Sequence, residues 1–327
     1  MNPLMFDRRG GSTSVIMGIG LNARRIRMLI LGVSGTMGRK TTLSGDTSDL
    51  RVLVPGSRRD LGQDGPGVSV VIPALNEAKN LPWLAERMPK GVQSIILVDG
   101  RSKDDTILVA RSLWPDVQIL QQTRCGKGNA LACGFDEVQS EITVMIDADG
   151  SMDPGEIPYF VDALQAGADY AKGSRFALGG GSSDITWGRS LGNRVLNGIT
   201  NLRYGTGYSD LCYGYNAFWT DIRPILGLDS GSLADDPTEK RWGDGFEVET
   251  LINIRVFSAG LRIAEVASYE SPRLFGASNL SPIRDGFRVL RTIAAEQKNR
   301  DNAGEYHFDH RSNAQSKRRP WLEEPAA

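Results

Sequence analysis

Histidine and cysteine are scarce in this chain: His307 and His310 are its two histidines, and Cys125, Cys133 and Cys212 its three cysteines, in 327 residues. No two cysteines form a Cys-x-x-Cys pair, so neither a disulfide framework nor a Cys/His zinc site is expected. Long apolar runs are missing too. Nothing approaches the about 18 uninterrupted apolar residues of a membrane-spanning helix, and the nearest segment, Val15 to Val33, is broken by Asn22, Arg24, Arg25 and Arg27. Charges on both sides of that patch argue against a secretory leader, which makes a cytoplasmic protein the expectation. Nor does charge of one sign dominate: 38 basic and 39 acidic residues leave a net −1. No nucleic-acid partner is therefore expected, and an anionic ligand must be met by local groups.

What remains is an ordinary globular mixture, 40% apolar and 24% charged, with a core of useful size. Residues 1–67 are rich in Gly, Ser, Thr and Arg with little periodicity, and read as a poorly ordered or loosely packed extension. Within them Met28 to Lys40 imitates a phosphate-cradling loop. The gap from Gly32 to Gly38 is one residue too long for a P-loop, however, and Arg39 stands where lysine is needed. From Val68 to Gly173 short Val/Ile-rich strands alternate with amphipathic helices: strands at 68–72, 94–98, 117–120 and 142–146, helices at 77–88, 104–113, 128–138 and 156–166. That alternation predicts an α/β fold with a mostly parallel sheet between helices, whose ligands lie outside the carboxyl ends of the strands.

Those ends carry the polar residues. Pro73, Asn76 and Glu77 follow the first strand, Asp99 closes the second, and Asp147-Ala148-Asp149 follows the fourth. Two carboxylates one residue apart at a strand terminus suit a hard divalent cation, which in turn suits phosphate. The loop Arg124-Cys125-Gly126-Lys127-Gly128-Asn129 adds a lysine between glycines, able to bring charge and backbone N–H groups against an anion.

Taken in order, Val68 to Glu77, Val98-Asp99-Gly100, Gly126-Lys127-Gly128-Asn129-Ala130, Asp147-Ala148-Asp149 and Gly173-Ser174-Arg175 resemble the family 2 glycosyltransferases of GT-A fold. The branch resembled is that of dolichol- or polyprenyl-phosphate mannosyltransferase-like enzymes, over roughly Val68 to Leu280. The resemblance implies a GT-A domain at 68–295, with 68–173 as the donor half, 174–295 as the acceptor half and 296–327 as a polar tail. It implies that Pro73, Asn76, Glu77 and Asp99 meet the nucleoside of a nucleotide-sugar, that Lys127 faces its diphosphate, and that Asp147 and Asp149 hold Mg²⁺ or Mn²⁺, Asp149 the more directly.

On the acceptor side, the resemblance assigns Asp210 and Glu249 as candidate bases and Arg175 and Arg273 as anion clamps. Glu247 and Glu249, two apart on a helix, cannot both face one site; family position favours Glu249, leaving Glu247 as a helix-start charge. Leu191, Val195, Leu196 and Ile199 recur at helical spacing between Trp187 and Leu202, and such a stripe is expected to face the core. Lys317-Arg318-Arg319 lies in the polar tail and reads as solvated. The implied activity is metal-dependent, inverting transfer of a hexose from GDP-mannose or a UDP-hexose to a polyprenyl phosphate. The enzyme would work in the cytoplasm or in peripheral contact with the inner face of the membrane. Transfer of a UDP-sugar to a saccharide or small-molecule hydroxyl, and sugar-nucleotide binding without turnover, stay open as alternatives.

Overall fold

The computed structural model describes residues 59–231, 236, 238, 240–276 and 282–303. The imitation phosphate loop at 28–40 and the basic run at 317–319 lie outside the described residues. Residues 68–174 follow the predicted alternation: β1 (Val68–Ala74), α1 (Leu81–Arg87), β2 (Ser94–Asp99), α2 (Thr106–Leu113), β3 (Gln118–Gln121), α3 (Lys127–Asp136), β4 (Ile142–Met145), α4 (Ile157–Gln165) and β5 (Tyr170–Ser174). The part expected to face the acceptor adds β6 (Gly181–Ser182), α5 (Trp187–Tyr204), β7 (Asn216–Trp219), α6 (Arg223–Leu226), α7 (Val248–Ser258), β8 (Ile263–Ala267), β9 (Tyr269–Glu270) and α8 (Pro282–Ala303).

Seven strands form one sheet in the order β3-β2-β1-β4-β7-β5-β8, in which β7 alone runs antiparallel to its neighbours. Strand alternation assigns the two layers. Val70, Ile72, Val144 and Ile146 pack with Leu81, Leu84 and Phe160 on one side, while Val71, Ile96, Val98 and Met145 meet Leu131, Phe135, Val248 and Ile252 on the other. Ring contacts pin both layers: Phe160 stacks on Tyr215 at 4.4 Å, and Phe135 meets Phe218 edge-on at 5.1 Å.

Three features differ from the sequence expectations. First, α1 begins at Leu81 rather than at residue 77, because Glu77 and Asn80 form a turn (Asn80 N–H to Glu77 O, 2.9 Å) that frees the Glu77 side chain from the helix. Second, residues 59–67, which the sequence places in the extension, are tied to the domain: Leu61 N–H donates to Lys90 O and Lys90 N–H to Asp60, both at 2.9 Å.

The third is α5, which is turned inside out relative to expectation. Trp187, Leu191, Val195, Ile199 and Leu202 are exposed, Leu202 at 89%, whereas Asn193, Asn197, Thr200 and Tyr204 are buried. Of the expected core stripe only Leu196 packs inward, against a cluster containing Tyr204 and Val289. Polar contacts hold the inner face instead. Asn197 donates to Ser209 O at 2.5 Å and accepts from Leu211 N–H at 2.7 Å, and Asn201 exchanges a pair of bonds with the Tyr208 backbone. The Thr186 hydroxyl caps the start of α5, and Gly205, at φ 72°, ends it in the left-handed conformation that glycine favours.

Candidate active site

The parallel register brings the strand ends together. Ala74 is level with Asp99, and Val71 with Met145, so two further residues put Asp147 level with Pro73. Asn76, at φ 59°, shapes the first loop: its N–H donates to Ser102 Oγ (2.9 Å) and its Oδ1 accepts from Lys103 N–H (2.7 Å). Asp99 shapes the second, accepting the backbone N–H groups of Arg101 and Ser102 at 2.9 and 3.1 Å. In this structure both residues order the loops that follow β1 and β2.

Beyond them lies a row of opposite charges. Arg273 bridges Glu77 (2.8 Å) and Asp149 (3.2 Å), while Lys127 bridges Asp147 (2.6 Å) and Glu249 (2.7 Å). Burial alone would lower the Lys127 ammonium, but the charges of Asp147 and Glu249 override it and hold the group well above the ordinary lysine range. Burial pushes the Glu249 carboxyl up, and Lys127 offsets only part of that. Burial likewise raises Glu77, against hydrogen bonds from Asn80 and Arg273.

Close backbone packing places Lys127. A side chain on Gly126 would strike Asp244 O at 2.0 Å and one on Gly128 would strike Gly243 O at 1.8 Å, so the start of α3 lies directly on the 243–245 loop. Gly214 makes room from the other side, since a Cβ there would sit 2.8 Å from the Lys127 Nζ. This gives Gly214 a steric role in the Cys212-Tyr213-Gly214 segment. Asn80, which the sequence reading missed, ties Glu77 to the segment that carries its partner Arg273: it donates to Glu77 (2.5 Å) and accepts from Phe275 N–H (3.0 Å), two residues beyond Arg273.

Fit to a divalent cation follows from these groups. Four carboxylates face two cations in the row, a formal deficit of positive charge that a metal ion would meet. Among the described residues no set of three or more His, Cys, Asp or Glu side chains forms a complete cage. Asp147 and Asp149 suit the kind of site in which one or two carboxylates share Mg²⁺ or Mn²⁺ with substrate phosphates and water.

Two assignments from the sequence change. Asp210 is fully buried and accepts from the Arg175 N–H (3.1 Å), Arg175 Nε (2.7 Å), Arg175 Nη2 (2.9 Å) and Asn193 Nδ2 (3.0 Å). Burial would raise its carboxyl, but the Arg175 contacts prevail and hold it below the ordinary range. In this structure the carboxylate is a brace for Arg175 and Asn193, with its oxygens engaged rather than open to an acceptor. Arg175 in turn is occupied by Asp210 and by Glu270 (3.0 Å) and lies 4.9 Å over the Tyr213 ring, which leaves it no fork for phosphate. The fold uses it as an ion-pair residue, with Glu270 as the partner that the sequence did not disclose. Glu249, by contrast, reaches Lys127, while Glu247 accepts from the N–H groups of Gly243 and Gly245 at the start of α7.

Comparison with known proteins agrees with this architecture. Residues 69–223 match the model described as Glycosyl transferase family 2. The polyprenol monophosphomannose synthase of Mycolicibacterium smegmatis is 31% identical over 245 residues, covering 70% of this chain and 89% of the relative. The chain is a family 2 glycosyltransferase. This glycosyltransferase is also 31% identical over 230 residues to the undecaprenyl-phosphate mannosyltransferase of Micrococcus luteus, covering 65% of this chain and 87% of that protein. Among solved structures, glucosyl-3-phosphoglycerate synthase of Mycobacterium tuberculosis with Mn²⁺, UDP and glucosyl-3-phosphoglycerate superposes with a TM-score of 0.52 at 22% identity, covering 71% of this chain and 80% of that one. At that identity the likeness establishes the GT-A fold of the family 2 glycosyltransferase and nothing finer.

Proposed function

We propose that this glycosyltransferase moves a hexose, with mannose as the leading candidate, from a nucleotide-sugar to a polyprenyl phosphate at a membrane surface. The observation that carries the choice of acceptor is the enclosure of Asp210 by Arg175 and Asn193. A hydroxyl acceptor needs a base, and the enclosure of Asp210 leaves Glu249, paired with Lys127 at 2.7 Å, as the remaining candidate. A phosphate acceptor arrives ionised and needs none. The names of the mycobacterial and micrococcal relatives support the same acceptor class.

In this reading the nucleoside lies along the Pro73–Glu77 and Asp99 edge, and Lys127 and Arg273 exchange carboxylate partners for the donor diphosphate. Asp147 and Asp149 would hold Mg²⁺ or Mn²⁺, which supplies charge neutralisation to the departing diphosphate. An acceptor phosphate oxygen bonds to the anomeric carbon as the bond from that carbon to the diphosphate breaks, inverting the centre. Among the described residues no helix is long and apolar enough to cross a membrane. The exposed apolar stripe of α5, flanked by Arg189, Arg194 and Arg203, supports peripheral contact with an anionic bilayer.

A screen of GDP- and UDP-sugars with Mg²⁺ or Mn²⁺, reading nucleoside diphosphate release with and without polyprenyl phosphate, tests the reading. Release stimulated by the lipid phosphate is expected. Stimulation by soluble hydroxyl acceptors alone would overturn the acceptor assignment, and donor binding without release under any condition would overturn turnover itself.

A further inference from the structure

Between the segment that leads into α7 and the first turns of α8 lies a cleft of about 320 Å³, outside the row that contains Lys127 and Arg273. Lys240, Arg241, Trp242, Arg288 and Arg291 line it, with Gly245 and Glu247. Among the described residues cations exceed carboxylates even when neighbours are counted: Asp285 holds Arg288 at 3.1 Å and Asp229 stands 3.8 Å from Arg241. The Arg291 guanidinium lies 5.6 Å over the half-exposed Trp242 ring, which gives the cleft a flat apolar wall beside its charge.

Glu247 supplies an independent sign of a ligand. It is buried, its Oε1 accepts from Gly243 and Gly245, and its Oε2 has no hydrogen-bond partner among the described residues. A buried carboxylate oxygen without a donor is costly, so a ligand that brings a hydroxyl to it gains what the fold leaves unmade. Arginines that meet an oxyanion, an aromatic wall and an acceptor awaiting a hydroxyl together describe a phosphate ester of a polyol.

We infer that this cleft is a second anion site, separate from the donor diphosphate site, and that it takes a polyol phosphate. The phosphate faces Arg288 and Arg291, and a neighbouring hydroxyl donates to Glu247. The 243–245 loop forms one boundary of the cleft and also packs against Gly126 and Gly128, so the two anion sites share a wall. Such a group can come from a soluble sugar or glycerol phosphate, or from the glycerophosphate headgroup of a lipid; exposed Phe287 and Leu290 on α8 lie within one turn of Arg291.

The test is binding by the full chain without donor or turnover, so that its failure is distinct from failure of the transferase reading. Calorimetry with glycerol 3-phosphate and with inorganic phosphate is paired with sedimentation on phosphatidylcholine vesicles with or without phosphatidylglycerol. Arg288→Ala combined with Arg291→Ala should weaken binding by at least about tenfold, while UDP- or GDP-sugar binding is unchanged. Arg291→Ala alone, at an exposed position, serves if the pair fails to fold. Glycerol 3-phosphate should bind more tightly than inorganic phosphate, and Glu247→Gln should narrow that difference. Loss of glycerol 3-phosphate binding alone identifies a soluble ligand, and loss of phosphatidylglycerol selectivity identifies the headgroup. No binding of either probe by the unmodified chain, or binding indifferent to the arginine substitutions, overturns the proposal.

Discussion

Lys127 and Arg175 each lie between two carboxylates, and their surroundings set them apart. Lys127 joins Asp147 and Glu249 at the open edge of the sheet, where the Asp147 side chain keeps 27% of its surface. Arg175 joins Asp210 and Glu270 in the acceptor half, where Asp210 keeps none. In the proposed reading, partners at the open edge are exchanged for a diphosphate and a metal ion. Those in the closed cluster cannot leave without stranding buried charge, so that cluster organises the β6–β9 pair and the 208–213 segment rather than binding a substrate. Ser182 Oγ, on β6, donates to the same Glu270 at 2.6 Å.

The largest effect should come from breaking the closed cluster. Arg175→Met leaves Asp210 and Glu270 buried without their cation, and a loss of about 3–5 kcal/mol in urea unfolding is expected. A loss below about 1 kcal/mol would show that the cluster is not structural. At the open edge the balance reverses: Asp149→Asn should cut nucleoside diphosphate release by about a hundredfold or more, with the thermal midpoint little changed. Equal damage to stability and turnover in both variants would erase the distinction between the two clusters.

A third carboxyl sharpens the contrast through pH. Burial pushes Glu156 up to about 7, against hydrogen bonds from Ser268 Oγ and Tyr269 N–H, and a nearby Asp153 adds to the rise. The folded protein therefore binds a proton that the unfolded chain releases near the ordinary glutamate value of 4.5. The favourable contribution is complete below that value and is lost as pH rises through about 7, so Glu156 lowers stability toward neutral and alkaline pH. Glu156→Gln keeps the neutral shape. Its thermal midpoint should fall less between pH 5 and 8 than that of the unmodified chain, a difference on the order of 2 kcal/mol at the upper end. Parallel curves for the two proteins would place the titration elsewhere, in Glu249 or Glu265, which burial also raises.

The open edge was legible in the sequence because its parts are local: apolar runs end in Asp99 and Asp147-Ala148-Asp149, and glycines flank Lys127. The mostly parallel α/β sheet followed from the same alternation, while GT-A was implied by the family resemblance of the ordered motifs. The closed cluster was not legible, since Arg175 and Glu270 lie 95 positions apart and nothing in either neighbourhood marks the other. Asn80 stands inside the first loop, yet its link to Phe275 spans 195 positions. Family position placed Asp210 in the acceptor half, but whether a carboxylate serves as base or brace depends on the cations that enclose it, and those come from tertiary packing.

Helix α5 offers the finest test of that distinction, because periodicity shows which residues share a face and not which way the face turns. On its inner surface the Asn197 and Asn201 amides each engage both a donor and an acceptor, so Asn197→Ala strands Ser209 O and Leu211 N–H and should cost about 1–3 kcal/mol. Its apolar stripe faces outward, and Leu202→Ser should change stability by no more than about 0.5 kcal/mol. An amphipathic helix packed on its apolar side would give the reverse order. If Leu202→Ser proves the costlier substitution, the stripe is covered in solution. If the inverted order holds while the same substitution weakens sedimentation with anionic vesicles, the stripe is free in water and engaged at the bilayer, as the lipid-phosphate reading requires.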